Sequence, residues 1–199
     1  LDILSCVPKS YEIWLENEKN KLKKLNTERL DTANANLEIA YKDISRMNEG
    51  IKMLHNDDAF KSFKLAQEAI QLQFLWSNKE QTSLNWRPFQ LGFFLMNIAY
   101  LSNPTHKDRD IMDLLWFPTG GGKTEAYLLI IAFILFNKRL SPQYAHKGGL
   151  TVLMRYTLRT LTVDQFRRAS AVILACEHLR KKNINSNIQE EISIGLWVG

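Results

Sequence analysis

The residues of this 199-residue chain whose types and spacing could do chemistry are concentrated in one run, Phe117-Pro118-Thr119-Gly120-Gly121-Gly122-Lys123-Thr124. It matches the phosphate-binding pattern G-x-x-x-x-G-K-[ST] at every fixed position but the first, where Phe117 replaces glycine. Glycines let backbone N–H groups converge on an anion with no Cβ in the way. A helix beginning at Thr124 would add the partial positive charge of its N-terminus. Lys123 offers a full charge to the β and γ phosphates, and the Thr124 hydroxyl offers an oxygen ligand to Mg²⁺. The expected ligands of Thr119, Gly120, Gly121, Gly122, Lys123 and Thr124 are therefore ATP and Mg²⁺. Lys123 and Thr124 are the catalytic candidates, and Thr124 is the metal ligand. The competing explanation is a glycine-rich turn that precedes Lys-Thr by chance.

The elements around this run are legible from periodicity. Ile111 to Phe117 reads as a short apolar strand, Thr124 to Arg139 as an apolar helix and Leu150 to Tyr156 as a second strand. Leu161 to Lys182 reads as a second helix, and Ile192 to Val198 as a third strand. Alternating apolar strands and helices argue a parallel sheet covered on both faces. Upstream, residues 10–54 read as helix. Leu30, Ala33, Leu37, Ala40, Ile44, Met47, Ile51 and Leu54 follow heptad spacing, either as an internal packing stripe or as a coiled coil. Gly50 interrupts that stripe. Asn56-Asp57-Asp58 ends the helix and can cap the next, over 59–76. The polar stretch 77–85 is a candidate boundary, and Pro88 suits the first turn of an apolar helix reaching about Leu101. The expected fold is α/β: a helical accessory region over 1–84, then over 85–199 part of a phosphate-loop domain with a parallel sheet.

The run Pro118-Thr119-Gly120-Gly121-Gly122-Lys123-Thr124 resembles motif I of superfamily 2 helicases, usually P-T-G-x-G-K-T. Arg87-Pro88-Phe89-Gln90 resembles their Q motif. The resemblance implies that the Phe89 ring stacks on adenine and that the Gln90 amide pairs with its exchangeable edge. By themselves these two residues would read as a core Phe and a surface Gln at a helix start. Residues 152–162, followed by Gln165, resemble motif Ia, which implies contacts to a nucleic-acid backbone. Arg155, Arg159 and Thr160 are the candidates, as guanidinium and hydroxyl groups at a strand's C-terminal end. Three stretches carry a narrower likeness: Leu115-Trp116-Phe117 through Tyr127-Leu128, Thr151 through Arg159, and Ile194-Gly195-Leu196-Trp197-Val198-Gly199. With Asp58-Ala59-Phe60 and residues 86–90, they are similar to the helicase subunits of DISARM, a bacterial phage-defence system, over about residues 55–199. The resemblance implies a RecA-like motor domain, an ATP-dependent helicase or translocase, nucleic acid as partner (DNA before RNA), and other defence subunits.

Hydrolysis also needs a carboxylate on Mg²⁺ and a group to orient water. The D-E-x-H motif that supplies them in the superfamily is not in this chain. The chain is therefore expected to be an N-terminal fragment, cut before motif II, that binds nucleotide without turning it over. Charge agrees with a polyanionic partner. Residues 1–110 carry 15 basic and 15 acidic side chains, whereas 111–199 carry 11 basic and 6 acidic. The basic ones cluster at Arg155, Arg159, Arg167, Arg168, Arg180, Lys181 and Lys182; a solvated basic helix face is the bland alternative. Two cysteines, Cys6 and Cys176, make neither a disulfide framework nor a metal-ligand spacing. They read as reduced core residues of a cytoplasmic protein. The longest apolar run, Ala126 to Phe136, has 11 residues and is too short to span a bilayer. Two rival functions remain: a phosphate-loop ATPase that acts on protein, and a non-catalytic module that docks through the heptad helix.

Overall fold

A computed structural model of the chain describes residues 1–24, 26–77, 83–141, 149–156, 159–184 and 190–197. Six α-helices are present among them: α1 (Asp2–Lys21), α2 (Thr27–Met53), α3 (Asp57–Ser77), α4 (Pro88–Ser102), α5 (Lys123–Leu140) and α6 (Arg159–Asn183). They build two compact units. The first comprises residues 1–55 and 86–116, the second 56–85 and 117–199.

In the first unit α2 packs on α1 and α4. The helix read over 10–54 is two helices. A 3-10 turn over Leu22–Lys24 ends the first, and Asn26, extended at φ −70° and ψ 159°, opens the second. The heptad stripe is an internal seam: Ala40, Ile44, Met47 and Leu54 are buried, as are Phe94, Leu95 and Ile98 of α4. Burying side chains of this size stabilises by roughly 1.5–3 kcal/mol each. Gly50 sits where the two helices touch. A Cβ there would lie 2.1 Å from the Leu95 carbonyl oxygen, so the residue that weakens the helix locally is what permits the close approach.

In the second unit α3 packs on α5 and α6. Its start is capped as the sequence suggests, the Ala59 N–H donating to Asn56 Oδ1 at 3.0 Å. Ala59, Ala66 and Ala69 of α3 are almost wholly buried, as are Ala126, Ala132, Phe133 and Phe136 of α5. Small residues on α3 leave room for the phenylalanines of α5. Val172, Ala175, Cys176 and Leu179 of α6 complete this core. Burial pushes the Cys176 thiol up to about 12, which keeps it protonated at neutral pH.

The expected α/β fold with a parallel sheet is not what forms. The described residues are helical or irregular, with no strand among them, and this overturns the RecA-like assignment. Among the described residues the three expected strands are irregular segments without ladder partners; Val198, the end of the third, lies outside the described residues. Residues 111–116 do show period-two alternation: Met112, Leu114 and Trp116 are 82–92% exposed, while Asp113 and Leu115 are turned inward. Alternation specifies an extended chain, but a sheet also needs a neighbour about 4.8 Å away to take the backbone hydrogen bonds. Here side chains hold the segments instead. In the first unit, Arg46 of α2 grips Asp113 through two hydrogen bonds of 2.7 and 2.6 Å. In the second, Arg139 of α5 donates to the carbonyls of Glu190 and Glu191 at 3.1 and 2.9 Å. Glu177 of α6 accepts the Ile192 N–H at 2.9 Å.

Candidate nucleotide-binding site

The glycine run forms a loop that leads directly into α5. Gly120 and Gly122 have φ of +75° and +89°, a region that L side chains avoid. Gly122 is the N-cap of α5, so Lys123, Thr124 and Glu125 form its first turn, where backbone N–H groups have no intrahelical acceptor. A side chain at Gly120 would meet nothing within 4 Å, so that side of the loop is open. At Gly121 a Cβ would stand 2.4 Å from the Phe117 ring. This accounts for the one departure from the pattern: Phe117 packs against the loop at Gly121, and the Gly121 N–H closes a turn onto the Pro118 carbonyl at 3.2 Å. Lys123 Nζ donates to the carbonyls of Phe117 and Pro118 at 2.5 and 3.3 Å. The lysine is thus folded back over the loop on weak neutral acceptors that a phosphate could replace. Thr119 is exposed and Thr124 half-buried. These residues fit a phosphate chain and a hard cation.

Phe89 and Gln90 stand in the first turn of α4, in the first unit. Phe89 is half-buried and Gln90 buried. Gln90 Oε1 accepts the Arg87 N–H at 2.8 Å, the reciprocal half of a helix-capping arrangement. Arg155 is exposed at the end of the segment 149–156. Arg159 and Thr160 open α6, and their side chains lie outside the described ones. Gln165 is buried and its Oε1 has no hydrogen-bond partner. It lines a cavity of about 910 Å³ between α5, α6 and the segments 149–156 and 190–197. None of residues 117–124 lines that cavity.

Much of the basic cluster is engaged within the fold. Arg180 is 3% exposed and bridges Glu177 through two hydrogen bonds of 2.7 and 2.8 Å. Burial would raise the Glu177 carboxyl, but hydrogen bonds from Arg180 and the Ile192 N–H, with the Arg180 charge, hold it at about 2. Arg168 pairs with Glu125 in the first turn of α5. Arg167 lies 3.9 Å from Asp164 at the surface. Lys181 and Lys182 are exposed, Lys181 standing 3.5 Å from Glu177. Three of these pairings sit at helical spacings of three or four residues, whereas Arg168–Glu125 spans 43 positions and leaves no trace in the sequence.

One other group of ligand-type side chains exists among the described residues, Glu49, His106 and Asp108. His106 Nδ1 accepts the Asp108 N–H at 3.1 Å, and Nε2 lies 3.6 Å from Glu49 Oε2. Metal ligation through Nε2 would need the proton on Nδ1, against that N–H. The group is therefore a clamp between α2 and the loop after α4. No helix among the described residues is long and apolar enough to cross a membrane.

No protein-family model matches the chain. In an alignment of 219 residues that covers all of it, the chain is 40% identical to the DISARM protein DrmA of Bacillus paralicheniformis. It spans 19% of that protein, about a fifth of its length. The chain is therefore related to a stretch of a DISARM protein, and the relation takes in residues 1–54.

Proposed function

We propose that this chain is the nucleotide-binding portion of an ATP-dependent nucleic-acid helicase or translocase in bacterial phage defence. The single observation that carries the reading is the loop itself: two positive-φ glycines, one of them the N-cap of α5, followed at once by Lys123 and Thr124. Relation to a DISARM protein supports the defence setting. In this reading the loop backbone and Lys123 hold the β and γ phosphates, and the Thr124 hydroxyl ligates Mg²⁺. Bound Mg²⁺ would draw charge from the phosphate oxygens as the terminal bond breaks. Phe89 and Gln90 are the candidates for the adenine. Arg155, Arg159 and Thr160 are those for nucleic-acid phosphates, and other defence subunits are the candidate protein partners.

The deciding experiment is binding of labelled ATP by the chain and by Lys123→Ala, alongside their melting curves. The lysine's two contacts are to neutral loop carbonyls, so its loss should leave the melt within a few degrees while nucleotide binding disappears. Unchanged ATP affinity would refute the assignment. In the full-length protein, ATP turnover stimulated by single-stranded DNA separates this reading from an ATPase that works on protein.

A further inference from the structure

Arg168 stands at a junction that the phosphate-loop reading leaves unused. It lies in α6 and pairs with Glu125 Oε1 of α5. Glu125 directly follows Thr124 in the first turn after the loop. Tyr156, at the end of the segment 149–156, lines one cavity with Leu128 of α5 and with Phe166 and Ala169 of α6. Arg168 therefore ties the start of α5 to a region shared by the end of that segment and α6. Each of the last two carries candidate nucleic-acid contacts: Arg155 immediately before Tyr156, and Arg159 and Thr160 at the head of α6. From Arg159 to Arg168 the helix runs about 13 Å within the continuous span of α6.

The pair is a poor candidate for a stabilising device. Its side chains are 40% and 28% exposed, and pairs so open to water contribute little to stability. The position says more than the energy. An acidic residue in the first turn of a helix already suits the helix dipole, with or without an arginine beside it. What the arginine adds is a tie between α6 and the residue next to the Mg²⁺-ligand candidate.

We propose that Arg168 and Glu125 are positioning residues that couple nucleic-acid engagement at Arg155, Arg159 and Thr160 to nucleotide binding at Lys123 and Thr124. This rests on the nucleotide and nucleic-acid reading given above. A polyanion that draws the head of α6 toward itself shifts Arg168, and through Glu125 the first turn of α5. The coupling is reciprocal, as any linkage between two binding sites must be: ATP changes DNA affinity by the factor by which DNA changes ATP affinity.

The test measures Mg-ATP affinity of the full-length protein with and without a single-stranded DNA oligonucleotide. The unmodified protein, Arg168→Ala, Arg168→Lys and Glu125→Gln are compared, with melting temperatures alongside. The unmodified protein should show a DNA-dependent change in ATP affinity of about 5-fold or more, the usual range of coupled sites. In Arg168→Ala and Glu125→Gln that factor should fall to within 2-fold of unity, while ATP affinity without DNA and DNA affinity without ATP each move by less than 3-fold. Arg168→Lys, which keeps the charge, should retain most of the coupling. A merely structural role would lower the melt and both affinities without touching their ratio. Full coupling in Arg168→Ala or Glu125→Gln overturns this proposal alone. An unmodified protein that binds no ATP, or whose ATP affinity ignores DNA, overturns the functional reading as well.

Discussion

Gly50 and Gly92 are both helix-interior glycines of the first unit, and replacing each by alanine should move stability in opposite directions. Intrinsic helix propensity favours Ala over Gly by about 0.8–1 kcal/mol at either site. At Gly92 the added methyl would meet Met47 Sδ at 3.5 Å and Val7 at 3.7 Å, which is ordinary contact, so the gain survives as about 0.5–1 kcal/mol. At Gly50 it would meet Leu95 O at 2.1 Å and Leu95 C at 2.9 Å. Both atoms are backbone, which cannot rotate aside. To restore contact at 3.4 Å, α2 and α4 must part by roughly 1 Å, and a gap of 0.5–1 Å already forfeits a quarter to a half of a dispersion well. The seam that opens is the best-buried one in the unit, with Phe94, Leu95 and Ile98 at 0% exposure. Overpacking costs roughly 1–3 kcal/mol, and a backbone obstacle belongs at the upper end. The net expectation for Gly50→Ala is a loss of about 2 kcal/mol, or about 4–8 °C in melting temperature for a chain of this size. Urea denaturation of the unmodified chain, Gly50→Ala and Gly92→Ala would show the midpoint falling for the first substitution and rising for the second. A Gly50→Ala chain as stable as the unmodified one would refute the close approach of α2 to α4.

Two further expectations concern buried ion pairs. Asp113→Asn leaves the Arg46 guanidinium, 11% exposed, beside a neutral amide, and breaking such a pair from one side costs roughly 3–5 kcal/mol; a loss below 1 kcal/mol in urea denaturation would contradict the pairing. Burial alone would raise the Asp113 carboxyl, but hydrogen bonds from Arg46 and Tyr100 and the Arg46 charge bring it below its ordinary value, and Glu177 is lowered to about 2. Since each folded-state value lies below the unfolded one, the stabilisation is complete above about pH 4.5 and is lost as pH falls toward 2. Urea midpoints between pH 2 and 5 should drop with acid, and Glu177→Gln should flatten that drop; an unchanged slope would show that the Arg180 and Ile192 contacts do not hold.

Helices were legible because their cause is local. Asn56 caps α3, Pro88 opens α4 and apolar periodicity carries α5, all within a few residues of where the sequence places them. What failed is what depends on distant partners. The runs at 111–117 and 150–156 have the composition and alternation of strands, yet composition cannot say whether a second strand lies alongside. Arg46–Asp113 is separated by 67 positions and Arg139–Glu190 by 51, so the side chains that hold the segments at 111–116 and 190–197 left no pattern to read. The 3-10 turn over Leu22–Lys24 is hidden for the opposite reason. Leu22, Lys23 and Lys24 all suit a helix, and nothing in their own chemistry marks the turn.

The site divides along the same line. The backbone of the glycine run was legible because glycine is the residue that suits positive φ, as at Gly120 and Gly122, and because Gly122 directly precedes the apolar helix α5. Even the exception has a local cause, since the Phe117 ring occupies the place that a side chain at 121 would need. Gln90 is harder, because two demands select the same residue. A helix whose first residue is Pro88 lacks one N–H, and a glutamine three positions after Arg87 can turn back to accept the Arg87 N–H, as it does. An adenine edge asks for the same amide, with oxygen toward a donor and nitrogen toward an acceptor. The cap fixes the plane and direction of the amide before any base arrives. A capping glutamine and a base-reading glutamine are therefore alternatives in sequence but not in physics: an amide already oriented by the backbone loses less entropy on pairing than one free to rotate. This is why the run Arg87-Pro88-Phe89-Gln90 could be read two ways: the cap is the demand that the fold itself makes on the glutamine.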